Sequence, residues 1–125
     1  MKASTVTPEH VISLAQQLHA ELGHRLSDDA YETALAFELE RQGSSIERQR
    51  AIELRNGDET MDLGFVADLL VDQALVVRLC SLHRVDLGTE AWVLQRLALP
   101  GARSAVFLDF MRPELDVLSL ASVER

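Results

Sequence analysis

The chain has 125 residues, with 20 acidic against 12 basic side chains and a formal charge of -8. That length buries roughly two-thirds of the unfolded surface, enough for one domain with its own core, and 47% hydrophobic residues exclude a disordered chain. The single cysteine excludes a disulfide framework and a cysteine-built metal cluster, while the acidic balance opposes the polyanionic backbone of nucleic acid.

No apolar run approaches the roughly 18 residues of a membrane span. The start, MKASTVTPEH, has no apolar stretch of the kind a signal peptide carries. The expectation is a cytoplasmic protein. All basic residues except Lys2 are arginines.

Thr7-Pro8-Glu9 opens a first helix, with a cap, a first-turn proline and an acid at the positive end. Val11, Leu14, Leu18 and Leu22 follow at helical spacing, and Gly23 stops it. Ser27 starts a second helix with Asp28 and Asp29 in its first turn, Tyr31, Ala34, Leu35 and Leu39 as its buried stripe, and Gly43 at its end. His24-Arg25-Leu26 is a short link that turns the helices sharply on each other.

Ile46 to Leu54 reads as a polar strand near a sheet edge. Arg55-Asn56-Gly57-Asp58 is a hairpin signal, because Asn-Gly accepts the positive φ angles of a type I′ turn. A long strand, 61–71, is apolar on both faces and so central. Asp72-Gln73 turns it into a partner strand, 74–80. Two charges, Asp68 and Arg78, fall mid-strand, where a sheet centre excludes such groups unless they are paired or used.

Thr89 to about Leu99 is a third helix, capped by Thr89 or Gly88 and broken at Pro100-Gly101. Ser104 to Phe110 is a buried strand, and Leu115 to Val123 alternates weakly as a last edge strand. The order α-α-β-β-β-α-β describes an α/β domain with a mixed central sheet and flanking helices.

These residues carry a family likeness. Leu18-His19-Ala20-Glu21-Leu22-Gly23 resembles a V-H-x-x-L-G motif. Gly23 through Tyr31, GHRLSDDAY, resembles G-P-G-L-L-E-x-x-Y. Gly64 through Val71, GFVADLLV, resembles G-x-R-x-D-L-L-V. In that order along one chain they resemble the GxxExxY proteins, a branch of the PD-(D/E)XK nucleases. The resemblance implies a restriction-endonuclease-like core.

It also implies an active site of one strand acid, then an acid-x-lysine on the next strand, holding magnesium or manganese. Asp68 matches the first acid and Asp28 the helix carboxylate. Arg78 stands where the second acid belongs, Cys80 where the lysine belongs, and Trp92 where the family has a glutamine. Lys2 lies outside the matching region, and Glu47, Glu53 or Asp62 could supply an acid only by another geometry. A guanidinium within a few ångströms of the metal position opposes a cation, by about 4 kcal/mol per unit charge at 4 Å and an effective dielectric near 20.

The expectation is a former site without metal or cofactor, in which Arg78 replaces the metal as partner of Asp68 and of Asp28. His19 then packs or hydrogen-bonds beside the old cleft. Cys80 is a small buried filler, and Trp92 is core. The function expected is that of a catalytically inactive, nuclease-like domain acting as a protein-interaction or regulatory module, with a homodimer through the sheet edges in view. Two alternatives stand beside it: a divalent-metal-dependent nuclease with a relocated site, and a non-cleaving nucleic-acid binder using Arg25, Arg78, Arg84 and Arg96.

Overall fold

A computed structural model describes residues 6–122. Helix α1, Pro8–Leu22, is capped by Thr7, whose side chain accepts from the His10 amide, and closes at Gly23. Helix α2, Asp28–Arg41, is capped in the same way by Ser27 through the Ala30 amide. The strands are β1 (Ile46–Ala51), β2 (Leu54–Asn56), β3 (Glu59–Met61), β4 (Val66–Val71), β5 (Leu75–Leu79), β6 (Ser104–Asp109) and β7 (Asp116–Ala121). A single 3-10 turn, Leu82–Arg84, and helix α3, Leu87–Gln95, connect β5 to β6.

The main sheet has the order β1-β4-β5-β6-β7. The β5–β6 pair is parallel, and the other neighbours are antiparallel. A parallel pair needs a crossover, and α3 supplies it. Each face of the sheet is covered, which makes the central strands apolar on both sides. Leu69, Val71, Val77 and Leu108 pack with Val11, Tyr31 and Leu35 of α1 and α2. Leu70, Val76 and Phe107 pack on the other face with Leu94 and Leu97, and with Ile52 and Leu54. The result is a mixed α/β domain of the restriction-endonuclease-like kind.

Several elements differ from the sequence reading. The strand expected over 61–71 is broken. Met61 closes a separate two-stranded β2–β3 hairpin, and the main sheet resumes at Val66. Gly64 makes the break, with φ 80°, a conformation open to glycine at little steric cost. Asp62 fixes it by accepting from the Gly64 amide at 2.9 Å. The strand expected over 46–54 likewise ends at Ala51. Glu53 and Arg55 then bond to Ala98 and Arg96, so the chain crosses to the α3 side.

The Asn-Gly hairpin exists but is shifted by one residue. Asn56 pairs with Glu59, so Gly57-Asp58 is the turn, and only Gly57 of the two has positive φ. Helix α3 begins two residues early, because the Asp86 side chain takes the Gly88 and Thr89 amides and outcompetes either expected cap. The turn after β4 holds three residues, Asp72, Gln73 and Ala74, one more than expected, with φ of 54° and 57° at Asp72 and Gln73, so the partner strand runs Leu75–Leu79 rather than 74–80. The last strand, β7, ends at Ala121, and Val123 lies outside the described residues.

Candidate active site of a nuclease-like fold

Asp28 and Glu32 lie one turn apart on α2, hence on one helix face. Glu32 is buried and both its oxygens are engaged. Oε2 accepts from Arg48 Nε at 2.7 Å and Oε1 from Gln49 Nε2 at 2.7 Å. Arg48 also donates to Thr33 Oγ1 at 2.9 Å and meets Asp29 at 3.4 Å. The hydrogen bond to Glu32 raises the Arg48 pKa further.

Gln49 is the joint of this network. Its φ of 51° is left-handed, unusual for a non-glycine residue in a strand. The same Nε2 that reaches Glu32 donates to Asp68 Oδ1 at 3.1 Å. Asp68 Oδ2 accepts from the Leu79 amide at 2.7 Å. The β4–β5 ladder runs no further in this direction than Leu69↔Val77. Beyond it, the Asp68 carboxylate stands in for a main-chain acceptor.

Continuing that register would set Asp68 opposite Arg78. The guanidinium nevertheless turns to α3, where Nη1 meets Glu90 Oε1 at 3.1 Å. It also lies over the Phe65 ring, 5.1 Å from the centroid. The expected Asp68–Arg78 and Asp28–Arg78 pairs are therefore replaced by Arg78–Glu90. The physical reason is competition: two hydrogen bonds already satisfy Asp68, whereas Glu90 is largely buried and has Arg78 as its cation. Phe65, Val76, Leu94 and Phe107 line a shallow surface slot beside this pair.

Asp28, at the start of α2, is exposed, yet its pKa is raised, first by desolvation and then by the charges of Asp68, Asp109 and Glu32. Asp109 is buried at the end of β6, with Oδ1 accepting from the Met111 amide at 3.1 Å. Cys80 is half-buried, its thiol pKa pushed up chiefly by burial, with Arg78 acting the other way.

His19 is 9% exposed and tilted against Phe110. Its Nε2 is 2.8 Å from the Arg112 carbonyl oxygen. A carbonyl only accepts, so the proton sits on Nε2 and the ring ties α1 to the β6–β7 loop. Trp92 is 44% exposed, not core. Helix α3 turns it outward, and Arg96 stacks on it at 4.3 Å from the ring centroid.

The sequence reading named Asp28, Asp68, Arg78 and Cys80. The structure brings Asp28 and Asp68 within each other's field and gives Arg78 to a different partner. Glu32, Gln49, Glu90 and Asp109 were missed. Glu32 had a signal, its position one turn beyond Asp28. Glu90 and Asp109 had none, because only tertiary packing sets them beside β5.

A hard divalent cation needs convergent oxygens with lone pairs to give. Here Asp68 and Glu32 spend theirs on amides and a guanidinium, and Arg78 on β5 is paired with Glu90. Glu47 is engaged with Gln73 and Arg50, and Asp62 with Gly64. Among the described residues no three acidic, histidine or cysteine side chains gather in a metal-holding group. The residues present do not fit the magnesium or manganese that nucleases of this fold use.

A five-stranded mixed sheet with helices on both faces and an acid at the end of its central hairpin defines a nuclease-like α/β domain. The family model of the PD-(D/E)XK nuclease superfamily matches residues 6–118, and the chain belongs to that superfamily. No curated protein and no solved structure gives a significant match. No helix among the described residues is long and apolar enough to cross a membrane.

Proposed function

We propose that this chain is a catalytically inactive member of the superfamily, of the GxxExxY kind, that works by binding protein. The observation that carries this reading is the Arg78–Glu90 ion pair at 3.1 Å. It fixes a cation where a nuclease needs a carboxylate. Asp68, the remaining strand acid, serves as a hydrogen-bond acceptor for Leu79 and Gln49. For the finer family assignment Tyr31 matches the motif's tyrosine and Asp28 keeps its acid one methylene shorter, whereas Arg25 stands where the motif has glycine. A lone, half-buried thiol supports a reducing, cytoplasmic setting.

The surface is where such a domain retains chemistry to offer. Phe37, Leu63, Leu87 and Trp92 are exposed large apolar side chains, the kind of anchor that protein partners use. A nucleic-acid role draws less support. Of the four arginines considered, Arg78 is held by Glu90 and Arg96 lies on Trp92, and the net charge is -8.

The test pairs calorimetry with magnesium and manganese and cleavage assays on single- and double-stranded DNA and RNA, for wild type and Asp68→Ala. The expected result is no heat of site binding and no cleavage. Metal-dependent cleavage lost in Asp68→Ala would overturn the reading in favour of a relocated nuclease site. Binding of nucleic acid without cleavage, weakening steeply with salt, would move it to the third class.

A further inference from the structure

The two edges of the main sheet are unlike. At β1 the edge carries Glu47, Arg48 and Arg50, and Gln49 interrupts it with a left-handed φ of 51°. Charge and irregularity of this sort are how sheets discourage edge pairing. At β7 the charge is confined to the first residue, Asp116, and no residue has positive φ. From Val117 to Ser122 the chain reads V-L-S-L-A-S, without charge, proline or positive φ. Both apolar layers also run out there. Val117 packs partly against one core, and Leu118 and Leu120 partly against the other.

The ladder shows which main-chain groups point outward. The Ser122 amide donates to the Arg103 carbonyl at 2.7 Å, toward β6. Directions alternate along a strand, so Val117, Ser119 and Ala121 turn their N–H and C=O groups away from β6. The Leu108 carbonyl agrees: it faces β5, accepting from Cys80, and Leu108 is the partner of Val117.

We infer that β7 pairs antiparallel with β7 of a second copy, about a twofold axis at Ser119, doubling the five-stranded sheet. The occupant follows from self-complementarity. In this register Val117 faces Ala121, Leu118 faces Leu120, Ser119 faces itself and Asp116 faces Ser122. Apolar side chains meet apolar ones and no like charges are opposed. Within the paired stretch the acid is Asp116, and Arg112 meets it at 2.9 Å. For a chain of charge -8 an uncharged edge is the place where two copies approach with least repulsion. The inference does not depend on whether the former centre is catalytic.

The test is the mass of the full chain by sedimentation equilibrium across the micromolar range, with two variants. Wild type is expected at twice the protomer mass. Ser119→Pro is expected to be monomeric with an unchanged circular dichroism spectrum, since it removes an outward N–H and no ladder bond within the protomer. Ser119→Cys is expected to form a disulfide-linked dimer on mild oxidation, and Leu120→Cys not to, because only residue 119 faces its own copy. A monomeric wild type overturns the inference, as does a dimer that persists in Ser119→Pro. Should Ser119→Pro fail to fold, the cross-link decides: absence at 119, or equal yield at 120, overturns the inference, and a link confined to 119 supports it.

Discussion

Asp68→Ala separates a structural carboxylate from a metal ligand. In the structure Asp68 Oδ2 satisfies the Leu79 amide at 2.7 Å, and Leu79 is only 8% exposed. Truncation leaves that N–H buried without an acceptor, at a cost of about 1–3 kcal/mol. The second bond, to the exposed Gln49, adds less, because water replaces it. The expected loss is about 2–3 kcal/mol, or about 8–12 °C in Tm for a domain of this size. Asp68→Asn keeps one acceptor oxygen for Leu79 and should lose about half as much. Urea denaturation followed by circular dichroism measures both, with an unchanged m-value as the sign of an intact fold. A carboxylate held among other acids for an absent ion behaves in the opposite way: its removal relieves repulsion and stabilises. Asp68→Ala more stable than wild type would therefore refute the reasoning.

The Tyr31 hydroxyl donates to the Gly23 carbonyl at 2.5 Å and accepts from the Leu26 amide at 3.2 Å. Tyr31→Phe should cost about 1–2 kcal/mol and speed hydrogen exchange at Leu26, and an unchanged exchange rate there would count against the latch. The pKa of Asp28 is raised above 3.8 by burial and by Asp68, Asp109 and Glu32. The folded chain then holds this proton more tightly than the unfolded one, so stability falls as pH rises from about 3.8 through the raised value. The Tm of Asp28→Asn relative to wild type should climb across that window, and a difference that stays flat with pH would show that the neighbouring carboxylates do not act on Asp28.

Local chemistry was legible in the sequence. Thr7, Ser27 and Gly23 fix helix ends through bonds within a few residues, and all three stand where expected. The double apolar face of β4 and β5 announced a central pair. The break at Gly64 was not legible, because period-two reading gives no warning when both faces are apolar. In the candidate site, the sequence put Asp68 and Arg78 into register but could not choose between partners. Glu90 competes for the guanidinium from α3, and Gln49 reaches Asp68 only because its backbone is left-handed. Trp92 shows the same limit, since helix rotation, not composition, turned it outward.

The Arg78–Glu90 pair also constrains how this sequence can change. Arg78→Glu alone would set two carboxylates against each other in a part-buried place and leave Glu90 without its cation. Cys80→Lys alone would add a cation beside Arg78. Like charges about 4 Å apart at an effective dielectric near 20 cost about 4 kcal/mol, a large share of a typical domain's roughly 5–15 kcal/mol. An acid-x-lysine on β5 is therefore out of reach by single steps, and intermediate sequences cross a stability valley. One ion pair thus couples Arg78 and Glu90 so that neither changes sign alone, a ratchet in sequence space set by electrostatics rather than by use.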